Sequence, residues 1–429
     1  MTDLSQEVVC VVSSPLFCSL AERLGRAFKK CYLYVPVSGS FVTMNAGLVG
    51  TGMENVTKVD SVFGPHFKEI TLWVFPDLGN AALQIYLEKL GKRVWGARNG
   101  EELEVYREVC KHQMEKLGLP VQPWLVITGI DNLRQHLKAH DNQHVKIDKW
   151  RGLTETFFSE SYELVAPKLD DIAHLVGGFK DTVEFIVEDD LPDCVEVGLD
   201  CYVVDGQFPS KTLVGIEAKD CGYVAQFMDY ASIPEPLRRW TDTMAPVLAT
   251  YGSRGFLSNE VRIGEDKVPY MIDACMRAGS PPSELYQEFY TNLPEIIWEG
   301  AGGNLVDPEP AAKWGVQVVL KSSWAAGHWQ PVSINPKWER NLKLFNCVVV
   351  NGQRFVVPLD EEMSEIGSVV GWGDTLEEAI AMVTAAGESV KGFGVKFSVG
   401  SMDDIQEQIA ELERIGVSPF QITPTPNQK

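Results

Sequence analysis

Glu260 and Asp273 sit on two arms that the sequence predicts to form a β-hairpin, Gly255-Phe256-Leu257-Ser258-Asn259-Glu260-Val261-Arg262-Ile263 and Val268-Pro269-Tyr270-Met271-Ile272-Asp273. The turn Gly264-Glu265-Asp266-Lys267 joins them. A symmetric loop pairs Ile263 with Val268 and places Glu260 opposite Met271. Side chains alternate faces along a strand, so Asp273 shares the face of Glu260 as a diagonal neighbour, roughly 7–8 Å away. One or two hard cations can span that gap. Two carboxylates that hold Mg²⁺ while phosphate oxygens complete its shell are a common arrangement where ATP is used. The competing reading is a solvent-facing acidic hairpin in an acidic protein.

The elements that must position this pair belong to a large chain. At 429 residues it exceeds one ordinary core and suggests two to four domains. Apolar content of 45% and charged content of 23% are those of a globular protein. A net charge of −21 excludes a broad nucleic-acid or anionic-membrane surface, though not a local basic pocket. Nine cysteines without a CxxC pair fit free thiols in a reducing compartment. The acidic N-terminus predicts no signal peptide, and no apolar stretch approaches the ~18 residues of a membrane span. The expected setting is cytoplasmic. The sequence carries no signal for an oligomeric state.

Along the chain, Val8 to Val12 is a short apolar run of buried parallel-strand type. A helix from Leu16 to Lys30, strands at 32–35 and 71–75, a helix from Asn80 to Leu90 and a strand at 93–95 follow. This alternation predicts an open α/β sheet with its ligand crevice near Ser13-Ser14 and Pro76-Asp77. From Gly100 a helix (101–117), strands at 124–127 and 144–147, and strands at 183–187 and 195–204 around the acidic loop Glu188–Asp193 predict an α+β region. Beyond the proline-rich loop 304–310 come further short strands and a helix from Thr375 to Ala386, with Asp374 as its N-cap and Gly387 as its stop. His136, His140 and His144 are spaced as zinc ligands could be, but they lie in a polar connector and read as solvated.

Three segments carry a resemblance. Glu101 to Val121 is similar to a linker helix leading into a lid. Pro269-Tyr270-Met271-Ile272-Asp273-Ala274-Cys275-Met276-Arg277-Ala278-Gly279-Ser280-Pro281-Pro282 resembles a Glu-x-Asn-x-Arg-x-Gly metal segment, and Gly371 to Ala379 resembles the start of a carboxy-terminal-domain helix. In this order they resemble the ATP-grasp ligases, and among these the phosphoribosylamine–glycine ligases. The resemblance implies α/β and α+β architecture in three parts. These are an N-terminal open parallel sheet domain (1–100), a central ATP-grasp domain (101–303, lid about 118–186) and a small C-terminal α+β domain (304–429).

The resemblance also implies roles. Lys146 and Arg107 would take the ATP phosphates, Glu188 the adenine amine and Glu196 the ribose hydroxyls. Lys219 would follow the central strand as a further nucleotide contact. Glu260 and Asp273 would hold Mg²⁺, and Arg277 would steady an acyl phosphate. The implied activity is ATP- and Mg²⁺-dependent amide formation from small carboxylate and amine substrates. Departures shape that expectation. Cys275 replaces the metal-segment asparagine. One glycine stands in the lid loop 148–154, where Lys149 and Arg151 could substitute by charge. The glycine-rich phosphate loop is replaced by Ser13-Ser14-Pro15-Leu16, and the later Gly-Gly-Met-Gly segment is missing near Cys221-Gly222-Tyr223. These losses fall on the phosphoribosylamine side and predict a different substrate. The alternatives are a nucleotide-binding module without turnover and a ligase that modifies a nucleotide or base.

Overall fold

The computed structural model describes residues 3–36, 45–149, 156–218, 221–358, 365–397, 399 and 402–420. Five parallel strands form the first sheet, in the order Val56–Val59, Lys30–Tyr34, Val8–Val12, Leu72–Val74, Arg93–Trp95. Val8–Val12 is buried at every position, as a central strand covered on both faces must be. The sequence reading lacks Val56–Val59, a half-buried edge strand whose Val-Thr-Lys-Val has no clear period.

The linker expected as one helix is broken. A short helix, Glu102–Val105, ends where Tyr106 turns to φ −106°, ψ 81°, and a second helix, Arg107–Lys116, starts anew. The reason is a cap supplied from a distance: the Arg107 amide donates to Asp148 Oδ1 at 3.2 Å, satisfying one of the open donors at a helix start. Arg107 and Lys111 then lie one turn apart on the same side.

A four-stranded antiparallel sheet follows, in the order Trp124–Thr128, Glu184–Asp189, Gln143–Ile147, Thr156–Ser159. Helices Ile130–Leu137 and Tyr162–Val176 cover one face of it. The core of this unit, including Leu133, Leu137, Val145, Leu169, Ile172 and Phe185, is separate from the rest, so it can move as a body. The second helix is absent from the sequence reading; Pro167 inside it argues locally against a helix.

The largest sheet has eight strands, in the order Tyr270–Cys275, Arg254–Ile263, Val195–Val204, Lys211–Ala218, Gly222–Asp229, Trp314–Lys321, Glu365–Gly373, Leu342–Leu344. It runs without a break through the expected boundary at 303/304, because Trp314–Lys321 pairs with Gly222–Asp229. Helices Glu235–Tyr251 and Met402–Arg414 pack against its central strands. The late helix spans Leu376–Glu388, with Thr375 rather than Asp374 as cap in a reciprocal box with Glu378. No helix among the described residues is long and apolar enough to cross a membrane.

Candidate active site

The hairpin forms, in a different register from the symmetric one. Arg262 pairs with Tyr270 and Val261 with Met271; a bulge follows, and Glu260 then faces Asp273 directly. The expected Glu260–Met271 pairing is thus corrected. The unpaired Ile272 is the extra residue, and bulges of this kind re-aim side chains. Directly opposed positions have Cβ atoms roughly 4.5–5.5 Å apart, closer than the diagonal relation expected. Cys275 lies opposite Ser258, on the same face.

Register assigns the rest of this face. Gly198 pairs with both Glu260 and Gly215, Asp200 with Ser258, Glu196 with Arg262 and Glu217 with Tyr223. Glu196, Asp200, Glu217, Glu260 and Asp273 therefore project to one side of the sheet. Burial, then the charges of Glu196, Asp273, Glu217 and Asp200, push the Glu260 carboxyl well above the usual carboxylate range. That is the electrostatic signature of a place deficient in positive charge, which a divalent cation corrects. Among the described residues no three His, Cys, Asp or Glu side chains form a metal site by themselves. Glu260 and Asp273 fit Mg²⁺ of the kind that depends on ligand oxygens brought by phosphates. Cys275 is not such a donor: burial keeps its thiol protonated, and it donates to the Arg277 carbonyl at 3.6 Å.

On this same face Asp200 accepts from the hydroxyls of Tyr223 and Ser258. Gly215 makes the first bond possible, since a Cβ there would lie 2.2 Å from the Tyr223 ring. Burial raises Asp200 from 3.8 to about 6, against the pull of those two bonds. A raised carboxyl costs stability once ionised; the penalty is absent below the unfolded value and complete above the folded one. Asp200→Asn is therefore expected to gain on the parent protein by about 2–3 kcal/mol as pH rises through that window. Urea unfolding at both ends of the window checks this, and a difference that does not change with pH would refute it.

The second half of the site is basic. Lys146, 3% exposed, reaches from the lid strand Gln143–Ile147 to the hairpin. Its ammonium donates to the Ile272 carbonyl at 3.0 Å and to Asp273 Oδ1 at 3.1 Å, and lies 3.2 Å from Glu188 Oε2. Burial alone would lower its pKa; Asp273 and Glu188 outweigh that and raise it. Glu188 ends up below its ordinary value, because Lys146 and Lys111 outweigh the effect of burial. Lys111 pairs with the other Glu188 oxygen. Arg107, Lys111, Lys146 and Asp273 line one cleft with Glu104 and Cys110. In this conformation the cleft is closed down to about 20 Å³, so a small molecule could enter only with the lid sheet moved away from the hairpin.

The structure therefore sorts the sequence-derived residues into adjoining groups. Lys146, Arg107 and Asp273 share the basic cleft, with Glu188 buried behind it on its strand rather than opening the acidic loop. Glu196 and Glu260 line the neighbouring acidic hollow, where Glu196 pairs with Arg262 at 2.9 Å. Arg277 stands on a third side, its Nε donating to Glu104 Oε1 at 2.9 Å. The next amide, from Ala278, donates to the Pro76 carbonyl at 2.8 Å, bringing the expected N-terminal crevice against the metal segment. Lys219 and the lid residues 150–154 lie outside the described residues; Lys149 pairs with Glu184 at 2.7 Å. Lys111 and Glu104 are absent from the sequence-derived set. The i, i+4 spacing of Lys111 from Arg107 is the signal that could have found the first; Glu104 had none, since its partners lie far along the chain.

The lid, the hairpin and the parallel-sheet domain together are the ATP-grasp fold. No protein-family sequence model matches the chain, and no curated protein matches it by sequence. Solved structures do. Phosphoribosylamine–glycine ligase of Thermotoga maritima superimposes with a TM-score of 0.68 at 18% identity, covering 91% of this chain and 98% of that one. The biotin carboxylase domain of Hydrogenobacter thermophilus 2-oxoglutarate carboxylase, solved with MgADP and bicarbonate, gives 0.65 at 11% identity over 95% of this chain and 98% of that one. N5-carboxyaminoimidazole ribonucleotide synthetase of Thermus thermophilus gives 0.56 at 13% over 97% and 99%.

Proposed function

We propose that this chain is an ATP- and Mg²⁺-dependent carbon–nitrogen ligase that joins a small carboxylate to an amine, with a substrate other than phosphoribosylamine. Its parts would be 1–100 for substrate, 101–303 for nucleotide and 304–429 as the C-terminal domain. The observation that carries the reading is the meeting of lid and hairpin: Lys146 on Asp273, with Glu260 directly opposite. Solved structures of like fold include a biotin carboxylase domain with MgADP bound, which supports a nucleotide in this cleft.

In this reading Lys146, Lys111 and Arg107 hold the phosphates by charge, and Glu196 takes the ribose. Glu188 keeps the two lysines apart and aimed. Lys219 is a further nucleotide contact. Mg²⁺, held by Glu260 and Asp273, would neutralise charge on the transferring phosphoryl group. The substrate carboxylate takes that group as an acyl phosphate, and the amine displaces phosphate to give the amide. Arg277, fixed by Glu104, steadies the acyl phosphate with its fork of donors. The lid, which closes the cleft almost completely, excludes the water that would otherwise hydrolyse the intermediate.

The test is ADP release from ATP and Mg²⁺ across a panel of carboxylate and amine pairs. Release that needs both partners is the expected result. Nucleotide binding without release under any pair would replace the ligase with a nucleotide-binding module, a reading favoured by Cys275 at the metal segment. Release that needs a nucleotide or base as acceptor would make the chain a ligase of that substrate.

A further inference from the structure

A second cleft, of about 710 Å³, opens at the other end of the N-terminal sheet. The helix Cys18–Gly25 begins beyond the carboxyl end of Val8–Val12 and runs back, so Gly25 and Arg26 lie at the amino ends of the strands. Asn55, which just precedes the parallel strand Val56–Val59, lies there too. The opposite wall is the turn Pro336–Asn341 and the edge strand Leu342–Leu344. Catalytic crevices of open parallel sheets form at the carboxyl ends. This seam is a separate place.

Its charge is the reverse of the molecule's. In a chain of net charge −21, five cations and three carboxylates line the seam. At one end carboxylates are in excess: Arg354 pairs with Glu22 at 2.9 Å and Glu339 at 3.2 Å. At the other end the order is reversed. Lys343, 3% exposed, places its ammonium 2.7 Å from Glu288 Oε1, and Arg26 donates to that same oxygen. Arg23, behind them, donates to the backbone carbonyls of Gln287 at 2.7 Å and Thr291 at 3.0 Å. Arg340, exposed, makes no ion pair among the described residues. Lys343 and Arg26 thus share one carboxylate, Arg23 is taken up by backbone carbonyls, and Arg340 has no ion pair among the described residues. Burial depresses the Lys343 ammonium, and Glu288 offsets this only in part. Trp338 and Trp372 add apolar walls, leaving room for more than a bare ion.

We infer that this seam is a second ligand site, built for a small organic oxyanion with Arg26, Arg340 and Lys343 as its donors. Phosphate esters and dicarboxylates share that chemistry. Guanidinium and ammonium groups held partly out of water bind such groups through charge-assisted hydrogen bonds. The ligand would touch the N-terminal and C-terminal parts of the chain at once and tie them together.

Calorimetric titration of the full chain with glycerol 3-phosphate and with succinate tests this and tells the two sources apart. Phosphate oxygens could also enter the basic cleft of Lys111 and Lys146, so the titration is repeated with Lys146→Met and with Arg340→Glu. Arg340 is exposed and unpaired, so its replacement leaves the fold intact, as circular dichroism would verify. Binding of at least one probe, kept in Lys146→Met and weakened about tenfold in Arg340→Glu, is the expected result. Binding lost in Lys146→Met and unchanged in Arg340→Glu would overturn the inference, as would heat from neither probe up to millimolar concentration.

Discussion

Glu260→Gln is expected to lose ATP turnover by about a thousandfold or more, the several kcal/mol by which a metal-held phosphoryl group is stabilised. Glutamine keeps the shape of the side chain and loses the charge. Glu260 is crowded by Glu196, Asp273, Glu217 and Asp200, so the same change relieves repulsion in the metal-free protein. The variant should therefore melt at a higher temperature than its parent without Mg²⁺, and gain less when Mg²⁺ and nucleotide are added. Activity and melting then move in opposite directions. A variant that turns over ATP normally would remove Glu260 from the site. One that is inactive because it is unfolded would show the reverse melting shift, so the two failures are distinguishable.

Lys146→Met should be the more damaging change to the resting protein. Lys146 is the shared partner of Asp273 and Glu188, and methionine leaves the buried Glu188 with Lys111 alone and takes the ammonium away from Asp273. Removing one member of a buried charge group costs about 3–5 kcal/mol, read as a lower urea midpoint. Nucleotide binding should be lost as well. Adding Glu188→Gln to Lys146→Met removes the carboxylate left in excess, so stability should return in part while nucleotide binding stays lost. This double variant separates the two roles of the lysine. If the single variant bound nucleotide as the parent does, Lys146 would be a lid fastener and the phosphate contacts would lie elsewhere.

Much of the fold is legible because it is local. The buried run Val8–Val12, the strand–helix alternation after it and the hairpin arms around Gly264 each follow from period and turn chemistry. The elements that the reading lacks have conflicting local signals, as with Pro167 inside Tyr162–Val176 or the mixed pattern of Val56–Val59. The capping of Arg107–Lys116 by Asp148 is of another kind. It joins residues distant in the chain and sits where the linker helix breaks, one turn before Lys111 meets Glu188.

For the site the division is sharper. Residue type and the hairpin pattern singled out the two acids, while the lysine at 146 and the arginine at 277 came only with the resemblance to the ATP-grasp ligases. What only three dimensions decided is how they meet. The bulge at Ile272 turns a diagonal pair into a facing one, and neighbouring strands add Glu196, Asp200 and Glu217 to the same surface. The lid delivers Lys146 across more than a hundred residues of chain. Charge acts through space, so the field at Glu260, or at Lys343 across the seam, sums over strands and helices that no stretch of sequence holds together.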